Sequence, residues 1–154
     1  MTNYWLFKSE PDCYSIDDLK QDKKTYWDGT RNYQVRNMMR DDIQKGDIVL
    51  FYHSNAKKET GVVGIAEVAK AGYPDHTATD PKSDHPDPKH TAENPIWYMV
   101  DIKFKEKFPR TVTLSEIKEY KTLADMKLVQ KGNRLSVFPV LKKHFDQISK
   151  MAHK

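Results

Sequence analysis

Apolar residues fall along this chain in short runs whose spacing alternates between the two-residue period of strands and the 3.6-residue period of helices. The opening Tyr4-Trp-Leu-Phe-Lys8 predicts a strand of aromatic and aliphatic residues, stopped by Pro11, which cannot donate to a ladder. Ser15 and Asp18 have the spacing of a helix-capping pair, so a short helix is expected over 15–20 with Ile16 and Leu19 inward. A second helix is expected from Arg31, with Tyr33, Val35, Met38 and Met39 as its buried positions. Gly46-Asp47 opens a strand over 48–53, and the polar loop 54–60 leads to a second strand over 61–69, an antiparallel hairpin. Residues 72–95 hold Pro74, Pro81, Pro86 and Pro88 with Pro95 at their end and no apolar period, which predicts one long loop. A strand over 96–104 follows, with Trp97, Met99, Asp101 and Lys103 on one face, then a short strand at 111–113. Helices are expected over 114–120 and 123–128, the latter ended by Gly132-Asn133. Val140, Leu141, Phe145, Ile148 and Met151 define a final amphipathic helix. The sum is an α+β domain: a curved, mainly antiparallel sheet or pseudo-barrel surrounded by short helices. At 154 residues, one domain over 1–154 is expected.

Composition narrows the function classes. No stretch approaches the roughly 20 apolar residues of a membrane span, so no membrane partner is expected. The N-terminus enters a strand pattern without a leader, which predicts a cytoplasmic protein. Cys13 is the single cysteine, so neither an internal disulfide nor a thiol-based zinc site is expected. The net charge is +4, but from Lys103 onward 13 Lys/Arg face 5 Asp/Glu, against 13 and 17 before it. A late basic surplus attracts phosphate, although lysine-rich helix faces also occur in proteins that never meet nucleic acid.

The densest chemistry lies in Trp27-Asp-Gly-Thr-Arg-Asn-Tyr-Gln34, where Trp27, Asp28, Arg31, Asn32 and Tyr33 gather around the turn at Gly29. An aromatic face stacks on a base, and the polar groups match base edges or phosphates; equally, Trp27 and Tyr33 could be core residues and Arg31 could bridge to Asp28. Tyr52-His-Ser-Asn55 ends a strand with hydrogen-bonding side chains at a sheet rim, offering His53, Ser54 and Asn55, and Ser9-Glu10-Pro11 closes another strand. The bland alternative for His53 is a bond to a backbone group.

Enzyme readings find less support. Pro74-Asp75 with Asp101-Ile-Lys103 formally fits a metal-dependent nuclease, but so short a pattern arises by chance. His76, His85 and His90 among Asp75, Asp80, Asp84 and Asp87 have irregular spacing for a metal site. His53 and Ser54 are adjacent on a strand and so point to opposite faces, which disfavours a hydrolytic pair. No metal, cofactor or catalytic residue is expected. A protein-interaction module using the Pro-rich loop is the remaining alternative.

Taken in order, Trp5-Leu-Phe-Lys-Ser-Glu-Pro11, Trp27-Asp-Gly-Thr-Arg-Asn-Tyr-Gln34, Gly46-Asp47, Phe51-Tyr-His-Ser-Asn55, Gly61-Val-Val-Gly-Ile65, Tyr73-Pro-Asp75, Trp97 and Arg134-Leu-Ser-Val137 resemble the EVE domain family of the PUA-like superfamily. The resemblance runs from about Tyr4 to Val140. It implies a PUA-like barrel, related to YTH domains, whose pocket accepts a flipped modified base, notably cytosine carrying a C5 substituent in DNA, such as 5-methylcytosine or 5-hydroxymethylcytosine. It also implies no enzymatic activity. The residues carried over are Ser9, Glu10, Trp27, Asp28, Arg31, Asn32, Tyr33, His53, Ser54, Asn55 and Ser136. Thr30, Phe138 and His85-Pro86 depart from the family pattern, where an aliphatic residue, a glutamine and a more aromatic stretch are usual. Modified RNA is the alternative ligand, because an unpaired base needs no extraction from a duplex.

Overall fold

A computed structural model describes residues 2–28, 30–56 and 59–154. Met1, the turn residue Gly29, and Lys57 and Lys58 of the 54–60 loop lie outside the described residues. The strands are β1 (Tyr4–Ser9), β2 (Lys24–Trp27), β3 (Ile48–His53), β4 (Gly61–Pro74), β5 (Tyr98–Thr113) and β6 (Val137–Val140); the α-helices are α1 (Ile16–Asp22), α2 (Tyr33–Asn37), α3 (Leu114–Glu119) and α4 (Lys142–Ala152). They form one sheet in the order β2-β5-β4-β3-β1-β6. β1 and β3 run parallel; every other neighbouring pair is antiparallel.

The fold is α+β, and the sheet is open along its backbone, with β2 and β6 at its edges. Side chains nevertheless close its concave face. β5, β4 and β3 separate β2 from β1 in the ladder, yet the Trp27 ring lies 5.2 Å from Phe7 of β1 and 5.7 Å from Phe51 of β3. Only a strongly curled sheet brings these rings together. The curl follows from register shifts in the long β4–β5 pair, where bulges add twist. Pseudo-barrel therefore describes the packing, and a barrel closed by hydrogen bonds does not.

Several boundaries differ from the sequence pattern. β4 continues to Pro74 and β5 is one strand through Thr113, so the expected loop begins later and the short strand at 111–113 is the end of β5. A 3₁₀ turn, His76–Thr79, occupies part of that loop, and the rest is pinned by side chains. Asp87 accepts from Trp97 Nε1 at 2.7 Å, and His90 Nδ1 accepts from the backbone N–H groups of Ile96 and Trp97, both at 2.9 Å. β2 and β6 are too short for a strand period to show, each being a four-residue edge strand; the edge position also tolerates Pro139. Val140 belongs to β6 and not to the final helix. The helix expected over 123–128 is two 3₁₀ turns, Lys121–Leu123 and Lys127–Val129.

The helix starts follow local chemistry. Ser15 and Asp18 cap α1 reciprocally, as do Thr113 and Glu116 for α3. Asn32 caps α2, which widens into a π-type turn over Met38–Asp42. Tyr33, expected in the core, is 59% exposed: it is the first residue of α2, and Val35, Met38 and Met39 take the buried side. The sheet is covered on both faces, which explains the continuous apolar runs of β1 and β3. Trp5, Phe7, Val49 and Phe51 pack beneath α1 and α2, while Leu6, Leu50, Tyr52 and Phe138 pack with residues of α3 and α4. Asp47 is a buried carboxylate that accepts from Trp5 Nε1 and Gln44 N, both at 2.9 Å, and from Asn3 N at 3.2 Å, so it fastens β1 to the turn before β3.

Candidate functional site

A cleft of about 650 Å³ opens between the ends of β1 and β2 and the approach to β6. Its volume lies in the range of small-ligand sites. Lys8 and Ser9 come from β1, Tyr26 and Trp27 from β2, and Asp28, Thr30, Arg31 and Asn32 from the segment leading into α2. Ser136 borders it just before β6, and its carbonyl accepts from Lys8 N at 2.8 Å. Tyr14, Asp84 and His85 complete the walls that matter below.

Trp27 is braced from behind by Phe7 and Phe51, so the indole borders the cleft in a held orientation. Ser9 Oγ donates to the Tyr14 carbonyl at 2.6 Å and keeps lone pairs for another partner. Asn32 Oδ1 accepts from Val35 N at 3.0 Å, which leaves the Asn32 amide to donate. The Lys8 ammonium sits over the rings of Tyr52 and Phe138, 5.9 and 5.7 Å from their centroids, and burial lowers its pKa. Burial and a hydrogen bond to Asp22 push the Tyr14 phenol up to about 12, so it remains protonated.

Arg31 organises one wall. Nη1 pairs with the buried Asp75 at 3.2 Å, and Nη2 donates to the His85 carbonyl at 2.5 Å. Asp75 Oδ1 also accepts from the backbone and hydroxyl of Thr77, at 2.8 and 2.5 Å. His85 Nδ1 lies 3.2 Å from both Arg31 Nη2 and Thr77 Oγ1, and its Nε2 lies 3.4 Å from Asp28 Oδ2. Arg31 thus pairs with Asp75, and His85 stands between Arg31 and Asp28. This latch holds the Pro-rich segment against the 28–32 segment.

The structure gathers Ser9, Trp27, Asp28, Arg31, Asn32 and Ser136 around the cleft. Glu10, Tyr33, His53, Ser54 and Asn55 stand elsewhere. Asn55 Nδ2 donates to Glu10 Oε1 at 3.0 Å, and Ser54 N donates to the Ser9 carbonyl at 3.0 Å, so this set ties the adjoining ends of β1 and β3. The exposed Tyr33 ring packs against the buried Trp97 at 4.9 Å. His53 Nε2 accepts from Ile16 N at 3.1 Å, serving the first turn of α1. Sequence reasoning missed Lys8, Tyr14 and Tyr26, which carried no polar-cluster signal, and met His85 only in an irregular metal pattern and as a departure from the family pattern. The nuclease pattern disperses: Asp75 is bonded to Arg31 and Thr77, Asp101 accepts from Tyr73, and Lys103 pairs with Glu67 at 3.2 Å.

His53 and His90 both accept from backbone N–H groups and must be neutral to do so. Burial holds both below the usual value of 6.5. A folded pKa below the unfolded one contributes stability above about pH 6.5 that is lost as pH falls through the folded value. His153, raised by Glu106, acts in the opposite sense. The urea midpoint is therefore expected to drop between about pH 7.5 and about pH 5.5, where carboxylates stay ionised. The double variant His53→Gln/His90→Asn, which keeps an acceptor without titrating, should show a smaller drop. An equal drop in both proteins removes these imidazoles as the cause.

Comparison with known proteins adds the remaining findings. A family model described as EVE domain matches residues 3–151. Human thymocyte nuclear protein 1 is 37% identical over 173 residues, covering 100% of this chain and 76% of that protein. A hypothetical protein from Leishmania major has a solved structure with a TM-score of 0.92 and 47% identity, covering 99% of this chain and 95% of that one. The crystal structure of the human THYN1 protein in complex with 5-methylcytosine-containing DNA has a TM-score of 0.91 and 37% identity, covering 99% of each chain. The nuclear name of the human relative overturns the cytoplasmic placement. An N-terminal segment that reads as a strand carries nothing that separates nucleus from cytoplasm. Among the described residues no helix is long and apolar enough to cross a membrane.

Proposed function

The chain belongs to the EVE domain family, and from that premise we propose that its cleft receives a C5-modified cytosine rotated out of DNA, binding it without turnover. The observation that carries this reading is the braced Trp27 indole bordering a polar-walled cleft. The fold is shared with a human relative crystallised with 5-methylcytosine-containing DNA, which supports the same ligand class here.

A flipped base costs a few kcal/mol of stacking and pairing, and stacking on Trp27 returns about 1–3 kcal/mol. The exocyclic amine of cytosine is a donor and suits the Asp28 carboxylate; its ring nitrogen and carbonyl are acceptors and suit the Asn32 amide and a serine hydroxyl, Ser9 or Ser136. Arg31 acts through position, holding the 28–32 segment by its bonds to Asp75 and His85. Burying one C5 methyl adds about 0.8 kcal/mol, roughly fourfold in affinity, whereas a hydroxymethyl offers a further hydrogen bond.

Matched oligonucleotides carrying cytosine, 5-methylcytosine or 5-hydroxymethylcytosine, as DNA and as RNA, are titrated at one salt concentration. The expected result is tighter binding of a C5-modified DNA strand by a factor of about 4 or more over the unmodified one. Equal affinity for all DNA probes would refute the reader, and a preference confined to the RNA series would move the ligand to modified RNA.

A further inference from the structure

We infer that the groove beside the cleft, lined by Lys127, Lys131 and Arg134, is a phosphodiester track that holds the DNA backbone next to the extruded nucleotide. The inference rests on the base-reading function proposed above and identifies where the charge of the strand is met.

Six of the 13 cations from Lys103 onward are paired in the fold. Lys103 and Lys105 pair with Glu67, Lys107 with Asp17, Arg110 with Glu116, Lys142 with Asp146 and Lys143 with Asp125. Of the two cations adjacent in sequence to candidate base contacts, Arg31 is committed to the buried Asp75, and the half-buried Lys8 ammonium sits over the rings of Tyr52 and Phe138. A nucleotide in the cleft brings phosphates to its rim, and Lys8 is the one cation lining the cleft without an ion pair among the described residues, so further counter-charge comes from the surface alongside. Asp28 and Asp84 border the cleft on the His85 side and repel a phosphate there. Toward Asn32 the sign reverses. Asn32 lines both the cleft and a groove of about 480 Å³ whose wall carries Lys127, Lys131 and Arg134. All of these cations are exposed, and none has an ion pair among the described residues.

The turn that presents them is braced. Asn133 Nδ2 donates to the Lys127 carbonyl at 2.9 Å, and Asn133 Oδ1 accepts from Leu135 N at 3.2 Å. Gly132 adopts φ +85°, and nothing lies within 4 Å of where its side chain would be, so the turn faces open space. Arg134 leads directly into Ser136 on the cleft wall, which places cationic groove and base cleft on one continuous surface.

Affinity for unmodified and C5-methylated duplexes is measured from low to moderate salt for the wild type, for Lys127→Gln/Lys131→Gln/Arg134→Gln, and for Lys20→Gln/Lys150→Gln/Lys154→Gln. The second triple removes the same charge from exposed cations that line neither cleft nor groove. Each phosphate contact contributes about 0.9 to the slope of log affinity against log salt, so the groove triple is expected to lower that slope by about 2–3 for both duplexes. Its ratio of modified to unmodified affinity should equal that of the wild type, and the distal triple should keep most of the slope. Equal slope losses in the two triples overturn the track, whatever the base preference. A wild type with no base preference but with the groove-specific slope loss overturns the base reader and leaves the track as a DNA-backbone contact.

Discussion

Trp27→Ala is expected to erase the discrimination between modified and unmodified cytosine and to weaken binding of the modified strand by about 5- to 150-fold, the loss of one base-stacking platform. The indole is the large aromatic surface of the cleft held in place by other rings, with centroids 5.2 Å from Phe7 and 5.7 Å from Phe51. Truncation also removes packing from the concave face and should cost about 2–3 kcal/mol of stability, so the folded fraction has to be checked before affinity is compared. Trp27→Phe supplies the control that separates these effects. It retains an aromatic face and should keep the preference while losing less than about tenfold in affinity. If Trp27→Ala folds and its modified-to-unmodified ratio matches the wild type, the base does not stack on this residue and the proposed pocket fails.

Asp75→Ala is expected to lower stability by about 3 kcal/mol, a shift on the order of 10 °C in melting temperature for a chain of this size. Asp75 has no exposed side-chain surface, whereas the side chain of its partner Arg31 remains 24% exposed. Removing the carboxylate leaves that guanidinium without its counter-charge and Thr77 without the acceptor of its backbone and hydroxyl bonds. Access of Arg31 to water places the cost near the lower end of what breaking a buried pair entails. The functional effect follows from the latch. Arg31 also holds the His85 carbonyl, so freeing it loosens the Pro-rich wall and the 28–32 segment together. Binding, measured well below the lowered melting temperature, should weaken for modified and unmodified strands alike. A melting temperature within about 2 °C of the wild type would mean that this pair contributes nothing of consequence.

These two residues were unequally legible in the sequence. Trp27 stood out because an aromatic beside carboxylate, guanidinium and amide groups is an unusual composition for a plain turn. Asp75 stood only in a weak metal-ligand pattern and in the family motif Tyr73-Pro-Asp75, since carboxylates that bind metal and carboxylates that neutralise an arginine look the same in a one-dimensional pattern. The capping pairs Ser15/Asp18 and Thr113/Glu116 are i to i+3 relationships; the sequence shows the first as a pair and the second only as a helix over 114–120, and the fold uses both. β2 and β6 were invisible for the opposite reason. Four residues are too few to show a strand period, and the pairing of each with its neighbour, β5 or β1, is a contact distant in sequence.

What the sequence determined by itself is what depends on near neighbours: the central strands from their apolar runs, the helix starts from their caps, and the family from motifs in their order. What only the tertiary structure decided is which of the separated motifs meet. Ser9, Trp27, Asn32 and Ser136 border one cleft because the sheet curls until Trp27 touches Phe7, while His53, on the neighbouring strand, turns to the first turn of α1. Curl arises from bulges and register shifts accumulated along β4 and β5, and the free energy that sets them is shared among many contacts distant in sequence. No local pattern encodes that sum, so the residues of the cleft could be named one by one in the sequence, but their convergence could not.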